Sequence, residues 1–250
     1  METRTARSFS IQDLIHSFKI QADSHRKTIQ LAFEETIEND KVYEEHAKFI
    51  CELGNNYCQS EFREFIVDEH NKSVLRFLTY YFNGSKKALD VFPGKDYKLH
   101  KNILLVGPPG TGKTMIMQIF SDYLRIMENP NQFYNISLTQ MANHYKLNGN
   151  IDRYTYNETG TTGFEGNPMN VCLNDIGIDL GKQKSYGTDM GSIVEEFLFA
   201  RYEIFQNYRK RTHLTSNLDV SDFKTTFESR LVDRFKIYNV IPLTGESRRK

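Results

Sequence analysis

Beyond residue 100 short runs rich in apolar and β-type residues alternate with longer stretches of helical period. Runs at Asn102–Val106, Phe133–Leu138, Met169–Leu173, Thr212–Ser216 and Lys236–Leu243 read as strands. Between them, Lys113–Met127, Thr139–Leu147 and about Asp189 to Tyr208 read as helices, with short helices over Val220–Phe235. Five strands alternating with helices predict an α/β fold, a five-stranded parallel sheet flanked by helices and covered on both faces. The stretch from Asn148 to Asn167, crowded with Gly, Asn, Thr and Tyr, reads as a polar loop.

The N-terminal part has a different pattern. Ser10 and Asp13 form a capping pair before Ile11, Leu14, Ile15 and Phe18, which share one helical face. From Thr28 to about Leu53, the apolar series Ile29, Phe33, Ile37, Tyr43, Ala47 and Ile50 predicts one or two helices closed by Gly54. Residues Phe65–Val67 look extended. Asn71 is then placed to cap a helix with Val74, Leu75, Leu78, Tyr81 and Phe82 on its inner face, ended by Asn83-Gly84. The expected division is a small N-terminal helical region, 1–64, and a main domain, 65–250.

Charge and cysteine content narrow the classes. Thirty-two basic and 32 acidic side chains leave no net field for nucleic acid or an anionic membrane, so any nucleic-acid contact must be local. Cys51, Cys58 and Cys172 form no C-x-x-C pair, which argues against a zinc site or disulfide framework and fits a reducing cytosol. No export signal or run of eighteen apolar residues is present, so a soluble cytoplasmic protein without a membrane span is expected.

The strongest chemical signal lies directly after the first strand. Gly107-Pro108-Pro109-Gly110-Thr111-Gly112-Lys113-Thr114 is a complete phosphate-binding loop, followed by the apolar helix opening Met115-Ile116-Met117. Glycines permit the tight path that turns backbone N–H groups inward, Lys113 brings a cation to the terminal phosphates, and the Thr114 hydroxyl suits Mg²⁺. The following helix points its N-terminus at the phosphates. Residues 107–115 therefore form the expected ATP and Mg²⁺ site.

Hydrolysis at such a loop needs acid at the end of a neighbouring strand, to hold Mg²⁺ or its water and to orient the attacking water. Leu173-Asn174-Asp175-Ile176-Gly177 supplies Asn174 and Asp175 where two acids are expected. Asn174 brings no negative charge, so metal affinity is expected to fall. Asp175 is the candidate catalytic carboxylate, one methylene shorter than Glu, and Asp179 is a weaker substitute. Asn217, at the polar end of Thr212–Asn217, is placed either to contact the γ-phosphate or to cap a helix. Arg230 and Arg234 stand one helical turn apart, with Leu231, Val232 and Phe235 as anchors. One can serve as an arginine finger while the other pairs with Asp233 or Glu228; a surface salt-bridge helix is the plainer alternative. Arg248 and Arg249 belong to a basic tail that is either solvated or bent back to the γ-phosphate. Tyr208-Arg209-Lys210-Arg211 reads first as a helix C-terminus and second as a DNA-contacting patch.

Read in order, the loop at 107–114, Leu173-Asn174-Asp175-Ile176-Gly177, Leu214-Thr215-Ser216-Asn217-Leu218 and Ser229-Arg230-Leu231-Val232-Asp233-Arg234 resemble the AAA+ ATPases. More narrowly the series is similar to the DnaC/IstB-type helicase loaders and transposition ATPases, particularly those of phages and mobile elements, over roughly residues 65–250. Ser185-Tyr186-Gly187-Thr188, Ala200-Arg201-Tyr202-Glu203 and Thr212-His213 add to the likeness. The resemblance implies a P-loop NTPase of AAA+ type in which Asn217 acts as sensor I, Arg230 as the arginine finger, and Arg249 or Arg248 as a reduced sensor II. It implies self-assembly into a ring or spiral through ATP shared between subunits. It also implies contact with single-stranded DNA, and helices at 10–53 that grip a replicative helicase. Asn174 departs from the family's Asp. The stop just after Arg249 leaves little or no room for a C-terminal lid, which favours the loader group.

Three functions follow as expectations. The first is an ATPase that loads a replicative helicase. The second is a transposition regulator of the IstB type, which would polymerise on duplex DNA and contact a transposase. The third is a non-hydrolysing ATP-binding adaptor, motivated by Asn174.

Overall fold

The computed structural model describes residues 37–156, 167–177, 184–185, 188–218 and 221–248. The helix expected at residues 10–18, the first part of the one expected from Thr28, Asp179 and Arg249 lie outside these.

Five parallel strands form the central sheet: β1 (Asn102–Val106), β2 (Tyr134–Ser137), β3 (Val171–Ile176), β6 (Thr212–Ser216) and β7 (Tyr238–Pro242), in the order β2-β3-β6-β1-β7. A short antiparallel pair, β4 (Lys184–Ser185) and β5 (Thr188–Asp189), stands apart from it. The alternation of β1 explains its unbroken apolar run. Ile103 and Leu105 enter one core with α1 (Asp40–Gln59), α2 (Lys72–Phe82) and α3 (Lys113–Ile126). Leu104 and Val106 enter a second core on the opposite face, with α4 (Leu138–Asn148), α5 (Met190–Tyr208), α6 (Phe223–Thr226) and α7 (Ser229–Arg234). A strand packed by helices on both faces has no position for a polar side chain facing water.

Helix α1 runs through Gly54 instead of ending there. A Cβ on Gly54 would lie 2.4 Å from the Phe65 ring, so this glycine makes room for a side chain and does not stop the helix. The segment around Phe65 is irregular, not a strand, and is tied to α1 by the Phe65 N–H bonded to Asn55 Oδ1 at 2.8 Å. Helix α1 joins α3 through Tyr57 to Asp122 at 2.6 Å and His46 Nδ1 to the Tyr123 hydroxyl at 2.6 Å. The described part of the N-terminal region therefore shares the core of the nucleotide domain. Asn71 begins α2, but its side chain turns back, accepting from the Asp68 N–H and donating to the Ile66 carbonyl.

One buried cation holds the sheet end remote from the phosphate loop. Arg201 of α5, 1% exposed, donates to Thr212 Oγ1 and to the carbonyls of Thr155, Met169 and Arg211 at 2.7–3.2 Å. Burial pulls its pKa down to about 10, against the raising influence of Tyr238 and Tyr156, so it stays charged at neutral pH. Four acceptors around one guanidinium offset the desolvation that an isolated buried charge would carry.

Candidate nucleotide site

The site lies at the carboxyl ends of β3, β6 and β1, where an open parallel sheet presents ligands. The loop after β1 is fastened on two sides: Gly107 N–H donates to the Ser216 carbonyl at 3.2 Å, and Leu243 N–H to the Val106 carbonyl at 2.8 Å. A Cβ on Gly107 would come within 2.0 Å of the Leu243 carbonyl oxygen, a backbone atom that cannot yield. Only glycine fits there. Lys113, 4% exposed, donates through Nζ to the carbonyls of Gly107 and Pro108 at 2.7 and 2.8 Å. Thr111 Oγ1 also donates to Pro108, at 3.0 Å. The Lys113 ammonium thus rests across the loop, and a phosphate offers it a charged acceptor stronger than those carbonyls. Met115 follows in the first turn of α3, half-buried against the core.

Thr114 Oγ1 donates to both carboxylate oxygens of Asp175, at 3.1 and 3.2 Å. An irregularity in β3 makes this meeting possible. Leu173 pairs with Leu214 and Ile176 with Ser216, so Asn174 and Asp175 together face the single residue Thr215. That two-against-one arrangement is a β-bulge. Asp175 sits in it with φ 62°, its carboxylate exposed on the loop side. Asn174 has gone the other way. It is 6% exposed, donates from Nδ2 to Asn135 Oδ1 of β2 at 3.0 Å and accepts at Oδ1 from Thr215 Oγ1 at 3.3 Å. Its carboxamide is committed to the sheet interior, not turned to Thr114 as a metal ligand would be. Cys172, packed beneath, has its thiol pushed well up by burial and secondarily by the Asp175 charge.

A hydroxyl and a carboxylate in contact beside a phosphate loop are a hard oxygen donor pair. They fit Mg²⁺, which commonly takes one or two protein oxygens and completes its shell with phosphate and water. Bound there, the ion would neutralise developing phosphate charge.

Asn217 follows β6 directly, and its Nδ2 lies 3.8 Å from where a Cβ on Gly177 would be, which brings the ends of β6 and β3 together. Ser216 links them again, its hydroxyl donating to the Ile176 carbonyl and accepting from Leu218 N–H. The two arginines of α7 separate in environment. Arg230 is exposed at the start of the helix. Arg234 pairs with neither Asp233 nor Glu228 but stacks over Phe199 and Tyr202 of α5, at 4.4 and 4.6 Å from the ring centroids. Asp233 pairs with Lys236.

The segment after β7 runs onto the phosphate loop. Arg248 N–H donates to the Gly110 carbonyl at 2.9 Å, and a Cβ on Gly110 would meet Ser247 Oγ at 2.2 Å. The Arg248 guanidinium binds both oxygens of Asp68 at 2.7 and 2.9 Å, while its carbonyl accepts from Arg63 at 2.7 Å. Desolvation works against the Asp68 charge, yet Arg248 and the N–H groups of His70 and Asn71 hold its carboxyl below the usual range. Sequence reasoning missed Asp68, Thr215 and Asn135. A polar residue inside a buried strand was the available sign for Thr215; Asn135, on the edge strand, and Asp68 carried none.

Fold and loop together define a P-loop NTPase fold of the AAA+ type. Residues 103–164 match the ATPase family associated with various cellular activities (AAA). No curated protein matches the chain. Similar solved structures include domain III of the Thermotoga maritima replication initiation protein DnaA, at 18% identity and TM-score 0.49, covering 72% of this chain and 65% of that one. Others are AMPPCP-bound DnaA from Aquifex aeolicus, at 20% identity and TM-score 0.43 over 72% and 48%, and the DnaC helicase loader, at 15% and 0.47 over 72% and 93%. The match thus spans less than two-thirds of either DnaA chain. Among the described residues no helix is long and apolar enough to cross a membrane.

Proposed function

We propose that the chain turns over ATP at a site completed by a second subunit, and that the assembly loads a replicative helicase onto single-stranded DNA. The observation that carries the ATP-site assignment is the Asp175 carboxylate on the Thr114 hydroxyl. In this reading the loop N–H groups and Lys113 hold the phosphates, while Thr114 and Asp175 hold the metal or its water. Asn217 orients the γ-phosphate or the attacking water, and Arg230 reaches the neighbour's nucleotide. Its exposure supports that role, because a finger must be free to leave its own subunit. With Asn174 turned inward, Asp175 is the one carboxylate that the described residues of this strand end offer to metal and water, which supports slow turnover.

The loader assignment rests on the motif series from the phosphate loop to the Arg230 box and on the additional N-terminal region. Affinity capture with the replicative helicase of the same host or element, in ATP, ADP and no nucleotide, tests it. A stable complex together with ATP-dependent binding of single strands is expected. Absence of a complex in every nucleotide state refutes it, and ATP-dependent filaments on duplex DNA with capture of a transposase assign the IstB-type role instead.

A further inference from the structure

We infer that Thr215 is a positioning residue for the ATPase site: its hydroxyl fixes the bulge that aims Asp175 at Thr114. The inference rests on the proposed role of Asp175. Thr215 is fully buried in β6, at the single position opposed by two residues of β3. A bulged residue loses its ladder partner. Here the Asp175 N–H donates to Thr215 Oγ1 at 2.8 Å. The same hydroxyl donates its own proton to Asn174 Oδ1 at 3.3 Å, and Asn174 Nδ2 passes the chain on to Asn135 Oδ1 of β2. One hydroxyl thereby satisfies both residues of the bulge, each sent in a different direction.

The geometry of Asp175 needs such a hold. Its φ of 62° lies in the left-handed region, which costs a residue with a Cβ conformational energy, less for Asp than for most. If β3 paired regularly with β6, the side-chain alternation past Leu214 would be restored and the carboxylate re-aimed. Asn174 then serves the bulge from inside the sheet: its Oδ1 accepts the Thr215 proton, as a carboxylate could, while its Nδ2 donates to Asn135, which an ionised Asp could not do.

The test compares Thr215→Val, which keeps shape and loses the hydroxyl, with Thr215→Ser, which keeps the hydroxyl. Affinity for a fluorescent ATP analogue is measured in EDTA and across a MgCl₂ titration, beside turnover. Thr215→Val is expected to bind the analogue normally in EDTA but to lose about 10–100-fold in Mg²⁺-dependent tightening and in turnover, the usual effect of removing an outer-shell partner. Thr215→Ser is expected to restore both to within about threefold. Wild-type Mg²⁺ dependence in Thr215→Val overturns the inference, as does equal loss in both variants, which would make bulk and not the hydroxyl the cause. Should Thr215→Val fail to fold, Thr215→Ala against Thr215→Ser gives the same decision. Asp175→Asn separates the two levels: if it leaves Mg²⁺ dependence intact, the reading of Asp175 falls and this inference with it; if it abolishes Mg²⁺ dependence while Thr215→Val does not, this inference alone falls.

Discussion

Replacing Gly54 by Ala should destabilise the protein, although Gly54 lies inside a twenty-residue helix where Ala is ordinarily the better residue. In an exposed helix interior the exchange gains about 0.8–1.0 kcal/mol. Here the new Cβ would sit 2.4, 2.6 and 2.9 Å from Cγ, Cδ1 and Cβ of Phe65. These are atoms at the root of the side chain, so a rotation of the ring tip does not relieve them, and the segment carrying Phe65 must shift. Overpacking of this kind costs about 1–3 kcal/mol. The net is a loss of about 1 kcal/mol, or roughly 2–4 °C in Tm for a chain of this length. In a Phe65→Gly background all three of these atoms are gone, and the same substitution should stabilise by about 1 kcal/mol, its helix-propensity value. Urea unfolding of the four proteins in the cycle reads both steps. A gain in stability from Gly54→Ala with Phe65 intact, or the same sign in both backgrounds, refutes the packing role.

Stability should also depend on pH through His213. It is fully buried among Phe82, Phe133 and Tyr81, its Nδ1 accepting from Ile103 N–H, and burial, with Arg211 and Arg201, holds its pKa well below 6.5. The unfolded chain then takes up a proton below pH 6.5 that the folded one refuses, so stability is full above that pH and falls with acidification. From pH 7.5 to 5.5 His213 alone removes about 1.4 kcal/mol, read by denaturant unfolding and absent in His213→Gln. Lys113→Ala should weaken ATP binding roughly 10–100-fold by calorimetry, the worth of its charged hydrogen bonds. Asp175→Ala should lower steady-state turnover by about 100-fold or more while leaving nucleotide binding in EDTA unchanged.

The sheet was legible because β1, β6 and the phosphate loop state their roles locally: a buried run cannot be amphipathic, and the loop's glycines and lysine have few other uses. Reading failed where a residue's meaning depends on a distant partner. Gly54 looks like a helix stop, and only Phe65 shows otherwise. Asn174 and Asp175 look like a turn after a strand ending at Leu173, yet β3 continues to Ile176 because β6 pairs with it past the bulge. Arg230 and Arg234 are equivalent by spacing, and the rings of Phe199 and Tyr202 distinguish them. Thr215 carries no mark except being polar in a buried strand. The site's separate groups were visible in sequence; the bulge that aims one of them was not.

The central proposal, an ATP site with Asp175 in one subunit and Arg230 in the next, is tested most directly by mixing. Arg230→Ala and Asp175→Ala proteins, each expected to be nearly inactive alone, are combined in equal amounts and turnover is measured with single-stranded DNA present. A head-to-tail assembly of the two makes about a quarter of its interfaces with both groups intact, so about a quarter of wild-type turnover should return. No recovery in a mixture shown to co-assemble, or wild-type turnover by Arg230→Ala alone, contradicts the account.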